Sequence, residues 1–226
     1  MERENRFAAQ VILDGRQERV HVPNTGRMKE LLLPGADVLL LGSDNVARRT
    51  RYDLVAVETP DVSVSVDSRV PNTILSEALA ARAIPQFLDY DSVRPEYTWG
   101  DSRFDFLLEN ADGKALVEVK GCTLVQDNGL ALFPDAPTQR GARHVKELTR
   151  ATREGIDTFV VVIVQRSDGR VFAPNDRTDR VFGDALREAQ EAGVRVMAYG
   201  TRVTRGGVDL TGPLDVDLMA ALEVVS

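Results

Sequence analysis

The sequence predicts an α/β (α+β) chain in two parts, a small five-stranded β-barrel over residues 1–70 followed by a mixed-sheet domain over residues 71–226. Three observations lead there. The first 66 residues are short apolar or alternating runs punctuated by turn dipeptides, which is the pattern of strands. Around residues 72–83 the apolar spacing changes from two to the helical period. Beyond it, two strand-like runs flank Ala111-Asp112-Gly113, a natural tight turn.

In the first part, residues 7–13 and 19–22 flank Asp14-Gly15, a hairpin dipeptide whose glycine tolerates positive φ. After Pro23-Asn24-Thr25-Gly26, residues 27–33 have room for two helical turns before Pro34-Gly35 stops them. Strands resume at 37–41, 52–59 and 62–66. Five short strands with one short helix suit an OB-like barrel, the barrel of that size best known for holding nucleic acids.

In the second part, Ile74, Leu75, Ala78, Leu79 and Ile84 share one helical face over residues 72–83, with Asn72 or Thr73 as the expected N-cap. Strands follow at 96–99, 103–109 and 114–120, the last two as antiparallel neighbours. Short strands near Thr123 and Leu130 precede a helix over 138–154, a buried strand over 158–165, a helix over 179–192 ended by Gly193, and a strand over 194–203. The order is helix, three strands, helix, strand, helix, strand.

Composition narrows the function. The chain is 43% hydrophobic and 28% charged, as expected of a folded globular protein. Its apolar runs are too short to cross a bilayer, which needs about 20 residues, and its first residues lack an apolar signal core, so a cytoplasmic location without membrane contact is expected. The single Cys122 and two histidines exclude an internal disulfide and a zinc site built of Cys and His. No Walker loop or dinucleotide fingerprint is present. A net charge of −7 weighs against a surface coated for phosphate and favours, if anything, an interaction scaffold. Locally the balance reverses, because residues 139–153 carry Arg140, Arg143, Lys146, Arg150 and Arg153 against Glu147 alone.

The chemistry concentrates on two strands. Asp105 is central in RFDFLL, and Glu118 and Lys120 in VEVK point to one face because strand side chains alternate. If the strands pair across the turn, Asp105 approaches Glu118. Two carboxylates suit a hard cation such as Mg²⁺ or Mn²⁺ that completes its shell with water and phosphate. Lys120 can orient a water or neutralise charge developing on phosphorus. An isolated E-x-K on a half-exposed strand arises readily by chance; its place in this order of elements gives it weight.

That order, with Asp105, Glu118 and Lys120 in it, resembles the PD-(D/E)xK nuclease superfamily, although Phe104 replaces the proline of the signature. The resemblance implies a further metal-binding acid on the first core helix, for which Glu77 is the candidate. Gln139, Arg140, Arg143 and Lys146 at the start of the next helix are candidates for nucleic-acid contact. His144 is a candidate proton shuttle or a hydrogen-bonded structural residue. The whole chain is similar to the sugar fermentation stimulation protein A family, through HVPNTGRM (21–28), LPGADVLL (33–40), SRFDFLL (102–108), VEVKGCTL (117–124), LFPDAPTQRGARH (132–144) and IVQRSD (163–168), the last containing Gln165. This resemblance implies an OB-like domain joined to a restriction-endonuclease-like domain. It also implies sequence-nonspecific DNA binding; joined to the carboxylate–lysine site above, this predicts a magnesium-dependent nuclease site or, alternatively, regulation of sugar (maltose) metabolism without turnover. RNA as the partner and a homodimer stay open. Asn24 and Thr25 match the family without a role; from the residues alone they read as a turn.

Overall fold

The computed structural model describes residues 1–45 and 47–220. Its N-terminal part is a six-stranded sheet built from β1 (Glu2–Asn5), β2 (Ala8–Leu13), β3 (Arg16–His21), β4 (Asp37–Gly42), β5 (Tyr52–Glu58) and β6 (Ser63–Ser65). The order is β1-β2-β3-β5-β4, with β6 on β5. The five expected strands are all present, and β1 adds a sixth that pairs antiparallel with β2. The helix expected over residues 27–33 does not form. Met28 has φ +41, which a continuing right-handed helix cannot accommodate, and the segment instead makes turns in which Leu31 and Leu32 donate to the Met28 carbonyl. Met28, Leu31 and Leu32 thereby drop into the apolar core with Ala9, Val20 and Leu54.

The second part starts with α1 (Val70–Ala80). It begins two residues earlier than the sequence predicts, with Arg69 as N-cap and a proline in its first turn, so neither Asn72 nor Thr73 caps it. The strands β7 (Ser92–Trp99), β8 (Ser102–Glu109), β9 (Lys114–Cys122), β10 (Leu124–Val125) and β11 (Leu130–Phe133) lead to α2 (Gln139–Arg153). Then come β12 (Asp157–Val164), β13 (Val171–Pro174), α3 (Asp176–Glu191), β14 (Arg195–Thr204) and β15 (Gly207–Val216). Strands β13 and β15 and the first turn of α3 go beyond the expectation; α3 is kinked at Asp179, where the expected start lay.

These strands form one nine-stranded sheet in the order β10-β11-β13-β15-β14-β12-β9-β8-β7. Strand β12 lies parallel between β9 and β14 and is buried from Thr158 to Val164, which explains its unbroken apolar run. Helix α1 covers one face, with Ile74 and Leu75 on Val117, Phe159 and Val161. Helices α2 and α3 cover the other, with Val145, Leu148 and Phe182 on Phe104, Leu116 and Val160. Burying each Val, Leu or Phe of these faces contributes about 1.5–3 kcal/mol.

Candidate functional site

Strands β8 and β9 place the three charged residues. Asn110 shapes the turn between them, its side-chain oxygen accepting from the Asp112 and Gly113 amides. The antiparallel ladder runs from Glu109 opposite Lys114 to Phe106 opposite Val117 and there stops. On β9, Leu116 belongs to the core under α2 and α3, whereas Ala115, Val117 and Val119 belong to the core under α1. Glu118 and Lys120, two and four residues after Leu116, therefore face α2.

Asp105 sits where the strand pairing breaks. On its other side, Pro95 pairs with Phe106 and Tyr97 with Phe104, while Glu96, at φ +56, is skipped. Phe104 and Phe106 enter opposite cores although they are two residues apart. The Asp105 carboxylate fills the gap. Its Oδ2 accepts the Val119 backbone N–H at 2.7 Å, in place of a ladder bond. Its Oδ1 accepts from the Asn72 side-chain amide on α1, also at 2.7 Å.

Glu118 is 3% exposed. Its Oε1 accepts from Lys120 Nζ and lies 2.7 Å from His144 Nδ1. A carboxylate oxygen only accepts, so His144 carries its proton on Nδ1, which leaves Nε2 to accept from Arg140 Nε at 3.4 Å. Burial pushes the Glu118 carboxyl up, but His144 and Lys120 outweigh it and hold the group below the ordinary glutamate range. Asp105 goes the other way. Burial and then the Glu118 charge raise its carboxyl, against the Val119 and Asn72 hydrogen bonds and the Lys120 charge. Glu118 Oε2 is buried and has no hydrogen-bond partner among the described residues.

Helix α2 borders this pair. Thr138 caps it, its hydroxyl accepting from the Gly141 amide at 3.0 Å, and Gln139 and Arg140 open the helix at the surface. Arg143 and Lys146 are exposed, and their side chains make no hydrogen bond or ion pair among the described residues. Arg150, by contrast, is tied to Glu147 at 3.2 Å and lies over the Trp99 ring at 4.5 Å. His144 is buried and its ring meets Phe104 edge-to-face, the centroids 5.8 Å apart.

Glu77 is not brought to the pair. It is exposed and lines a groove beside Ile74 and Val208. Five residues along α1 from Asn72 amount to a rotation of about 140°, so the face that offers Asn72 to Asp105 turns Glu77 away. Sequence reasoning missed Asn72 because Asn is a common N-cap, and the local pattern accounted for it without the site. Gln165 is buried, and its amide donates to the Ser65 and Asp67 carbonyls at 3.1 Å each, fastening β6 to the end of β12. Burial pushes the Cys122 thiol up to about 12, so it stays protonated at neutral pH.

A groove of about 880 Å³ lies between the two sheets. Asn24, Thr25 and Gly26 line one wall, Gly121 and Gln165 the floor, and Asp135 the far side. Asn24 accepts from the Gly26 amide at 2.8 Å and donates to the Val66 carbonyl at 2.9 Å. Arg3 donates to the Gly26 and Arg27 carbonyls, and Asp135 accepts from the Met28 amide. A Cβ on Gly26 would sit 2.9 Å from Asp135 Oδ2 and 3.0 Å from Asn24 Oδ1, so both side chains would have to shift to admit one.

The donor set fits a divalent cation. Among the described residues no group of three or more His, Cys, Asp or Glu side chains is placed to enclose a metal. The protein would therefore supply the two carboxylates of Asp105 and Glu118 and leave the remaining positions to water or phosphate, the habit of Mg²⁺. A cation there would satisfy Glu118 Oε2 and relieve the repulsion that raises Asp105.

Two family models match in tandem, one described as the SfsA N-terminal OB domain over residues 1–66 and one as the sugar fermentation stimulation protein RE domain over residues 69–207. The chain belongs to the sugar fermentation stimulation protein family. A relative in this family from Clostridium botulinum (strain Kyoto / Type A2) is 42% identical over 219 residues, covering 96% of this chain and 95% of its own. One from Clostridium kluyveri is 43% identical over 217 residues, covering 96% and 94%. The structure of Pyrococcus furiosus SfsA in complex with Ca²⁺ superposes with a TM-score of 0.89 at 30% identity, covering 96% of this chain and 94% of that one. The family thus carries the OB-like sheet and the restriction-endonuclease-like mixed sheet described above. Among the described residues no helix is long and apolar enough to cross a membrane.

Proposed function

We propose that Asp105 and Glu118 hold Mg²⁺ or Mn²⁺ against a nucleic-acid phosphodiester and that the site hydrolyses it. The observation that carries this reading is the buried Glu118 Oε2, left without a partner beside a second carboxylate whose pKa its charge raises. Buried polar atoms in native proteins are nearly always met by a partner, a water or an ion. Ser102 Oγ and Glu147 Oε2 also lack a hydrogen-bond partner among the described residues, and of the three only Glu118 Oε2 has the Asp105 carboxylate beside it. The relative from Pyrococcus furiosus solved with Ca²⁺ supports a divalent cation. When bound, the cation supplies Lewis-acid polarisation of a phosphoryl oxygen.

The chain's own residues do the rest. Asn72 and the Val119 amide fix the Asp105 carboxylate, and His144 fixes Glu118 through its Nδ1–H. Lys120 Nζ lies beside Glu118, where its charge neutralises the negative charge that builds on phosphorus during in-line displacement. Arg140, Arg143 and Lys146 on α2 attract and hold the DNA or RNA backbone. The test is incubation of the protein with labelled DNA and RNA in Mg²⁺, Mn²⁺ or chelator. Cleavage that needs the cation and disappears in Asp105→Ala and Glu118→Ala is expected; cleavage that survives both substitutions overturns the assignment.

A second reading, DNA binding without turnover, is favoured by the Lys120 ion pair and the His144 hydrogen bond that already occupy Glu118 Oε1. It predicts salt-sensitive binding that persists in chelator and no cleavage under any cation.

A further inference from the structure

The groove between the sheets carries more positive charge than a cation site calls for. Arg6, Arg27 and Lys29 line it, all exposed, with no hydrogen bond or ion pair to their side chains among the described residues. Arg3 is different, since its guanidinium is spent on backbone carbonyls. Next to Arg6, on the turn that joins β1 to β2 and just beyond the residues that line the groove, Phe7 leaves 56% of its surface in water. The rings of Phe104, Phe159, Phe172 and Phe182 are fully buried by comparison. The floor of the groove begins at Gly121, directly after Lys120 on β9, and reaches Thr138, the cap of the helix that carries His144.

We propose, resting on the phosphodiester reading above, that this groove holds a single-stranded segment of nucleic acid leading to Asp105 and Glu118. Phe7 stacks on an unpaired base, and Arg6, Arg27 and Lys29 meet its phosphates. Two physical points select a single strand over a duplex. A ring at a hairpin tip can stack only on a base that is not already stacked in a helix. A groove of about 880 Å³ is in the size range that encloses a compact ligand, which a short run of nucleotides matches. The tip residue supplies stacking, the cations supply register along the backbone, and neither reads base identity, as in binding without sequence preference.

The test measures the full chain by fluorescence anisotropy, in chelator so that nothing is cut, against oligo(dT), oligo(U) and a blunt duplex of equal length. Single strands should bind on the order of tenfold more tightly than the duplex. Phe7→Ala should weaken single-strand binding by about 5- to 150-fold, and Phe7→Trp should restore it. Replacing Arg6, Arg27 and Lys29 together with Ala should lower the slope of log K against log salt by about 2, at ~0.7 per phosphate. Among the described residues these four side chains make no hydrogen bond, ion pair or ring contact, and unchanged melting temperatures confirm intact folds. Equal or tighter binding of the duplex overturns the proposal, as does Phe7→Ala binding like the wild type. A parallel cleavage arm in Mg²⁺ separates the two readings. If nothing is cut but the binding differences hold, the groove stands and hydrolysis falls. If strands are cut with no single-strand preference, hydrolysis stands and the groove falls.

Discussion

Asp105→Asn should make the protein more stable in chelator and less stable than the wild type in a divalent cation. Asp105 accepts two hydrogen bonds, from Val119 N–H and from the Asn72 amide. An Asn at 105 keeps both, because its oxygen accepts from Val119 and its amide donates to Asn72 once that side chain flips. What changes is the charge. Cross-strand neighbours lie about 5 Å apart, where two unit charges at an effective dielectric of ~20 repel by ~3 kcal/mol. Lys120 and the two donors offset most of this, leaving a gain of about 1 kcal/mol at neutral pH, or roughly 2–4 °C for a chain of this size. The sign of the pH dependence follows from the raised Asp105 carboxyl. Relative to the unfolded chain, its contribution is most favourable below the ordinary value of 3.8 and is lost as pH rises through the elevated folded value, so the advantage of Asn fades as pH falls toward 3.8. With the cation at about 100 times its dissociation constant, the wild type gains about 2.7 kcal/mol, roughly 5–10 °C, and the variant gains none. Calorimetric melts in chelator and in Mg²⁺ should therefore cross. A variant that melts below the wild type in chelator refutes the repulsion, and one that keeps the cation-dependent rise refutes Asp105 as a ligand.

Three other outcomes are expected. Lys120→Met should leave cation binding intact by calorimetry while slowing single-turnover cleavage by about 10²–10³-fold; loss of cation binding instead would make Lys120 a structural partner of Glu118. Asn72→Ala should weaken cation affinity about tenfold, as removal of a group that orients a ligand does, whereas Glu77→Ala should not change it; the reverse result would overturn the orientation of α1. Asp53 is held down to about 2 by hydrogen bonds from Arg48, His21 and Arg69, which outweigh its burial. Its contribution is present above the ordinary value of 3.8 and lost as pH falls from there through about 2. Asp53→Asn should thus cost about 2 kcal/mol at neutral pH, measured by urea unfolding, and a difference that persists undiminished at pH 2 would contradict the ion-pair origin.

The parts of this fold legible in the sequence are those written in local periodicity. Glu118 and Lys120 share a face because strands alternate, and the turn at Asn110–Gly113 brings Asp105 near them. Helix α2 announces itself through Thr138 and its apolar stripe. The missed features are tertiary. Met28 takes a left-handed φ because its side chain is drawn into the core, which no local pattern displays. The Asn72 contact to Asp105 spans 33 residues, so helix propensity alone assigns Asn72 to a cap and promotes Glu77. The alternation Val208, Leu210, Leu214, Val216 did carry a signal for β15, interrupted by Gly212 and Pro213. The turn at Asn24 to Gly26 was readable, but its clamp to Asp135 joins positions over a hundred residues apart.

The acidic balance of the chain and a nucleic-acid partner are compatible for a reason of scale. A net charge of −7 acts at long range, and at physiological salt the Debye length is only about 8 Å. A phosphate in the groove meets Arg6, Arg27 and Lys29 with Asp135 as the opposing charge, and Asp135 lies close enough to Arg3 for their charges to interact. A phosphate along α2 likewise meets Arg143 and Lys146 before any carboxylate other than Glu147, which Arg150 occupies. The bulk charge therefore disfavours broad contact with a polyanion and leaves the two local cationic surfaces to decide where it binds. The groove reaches Gly121, directly after Lys120, and α2 carries His144, the partner of Glu118. On the phosphodiester reading proposed above, a polyanion admitted only there would be delivered toward the two carboxylates whose mutual repulsion raises Asp105.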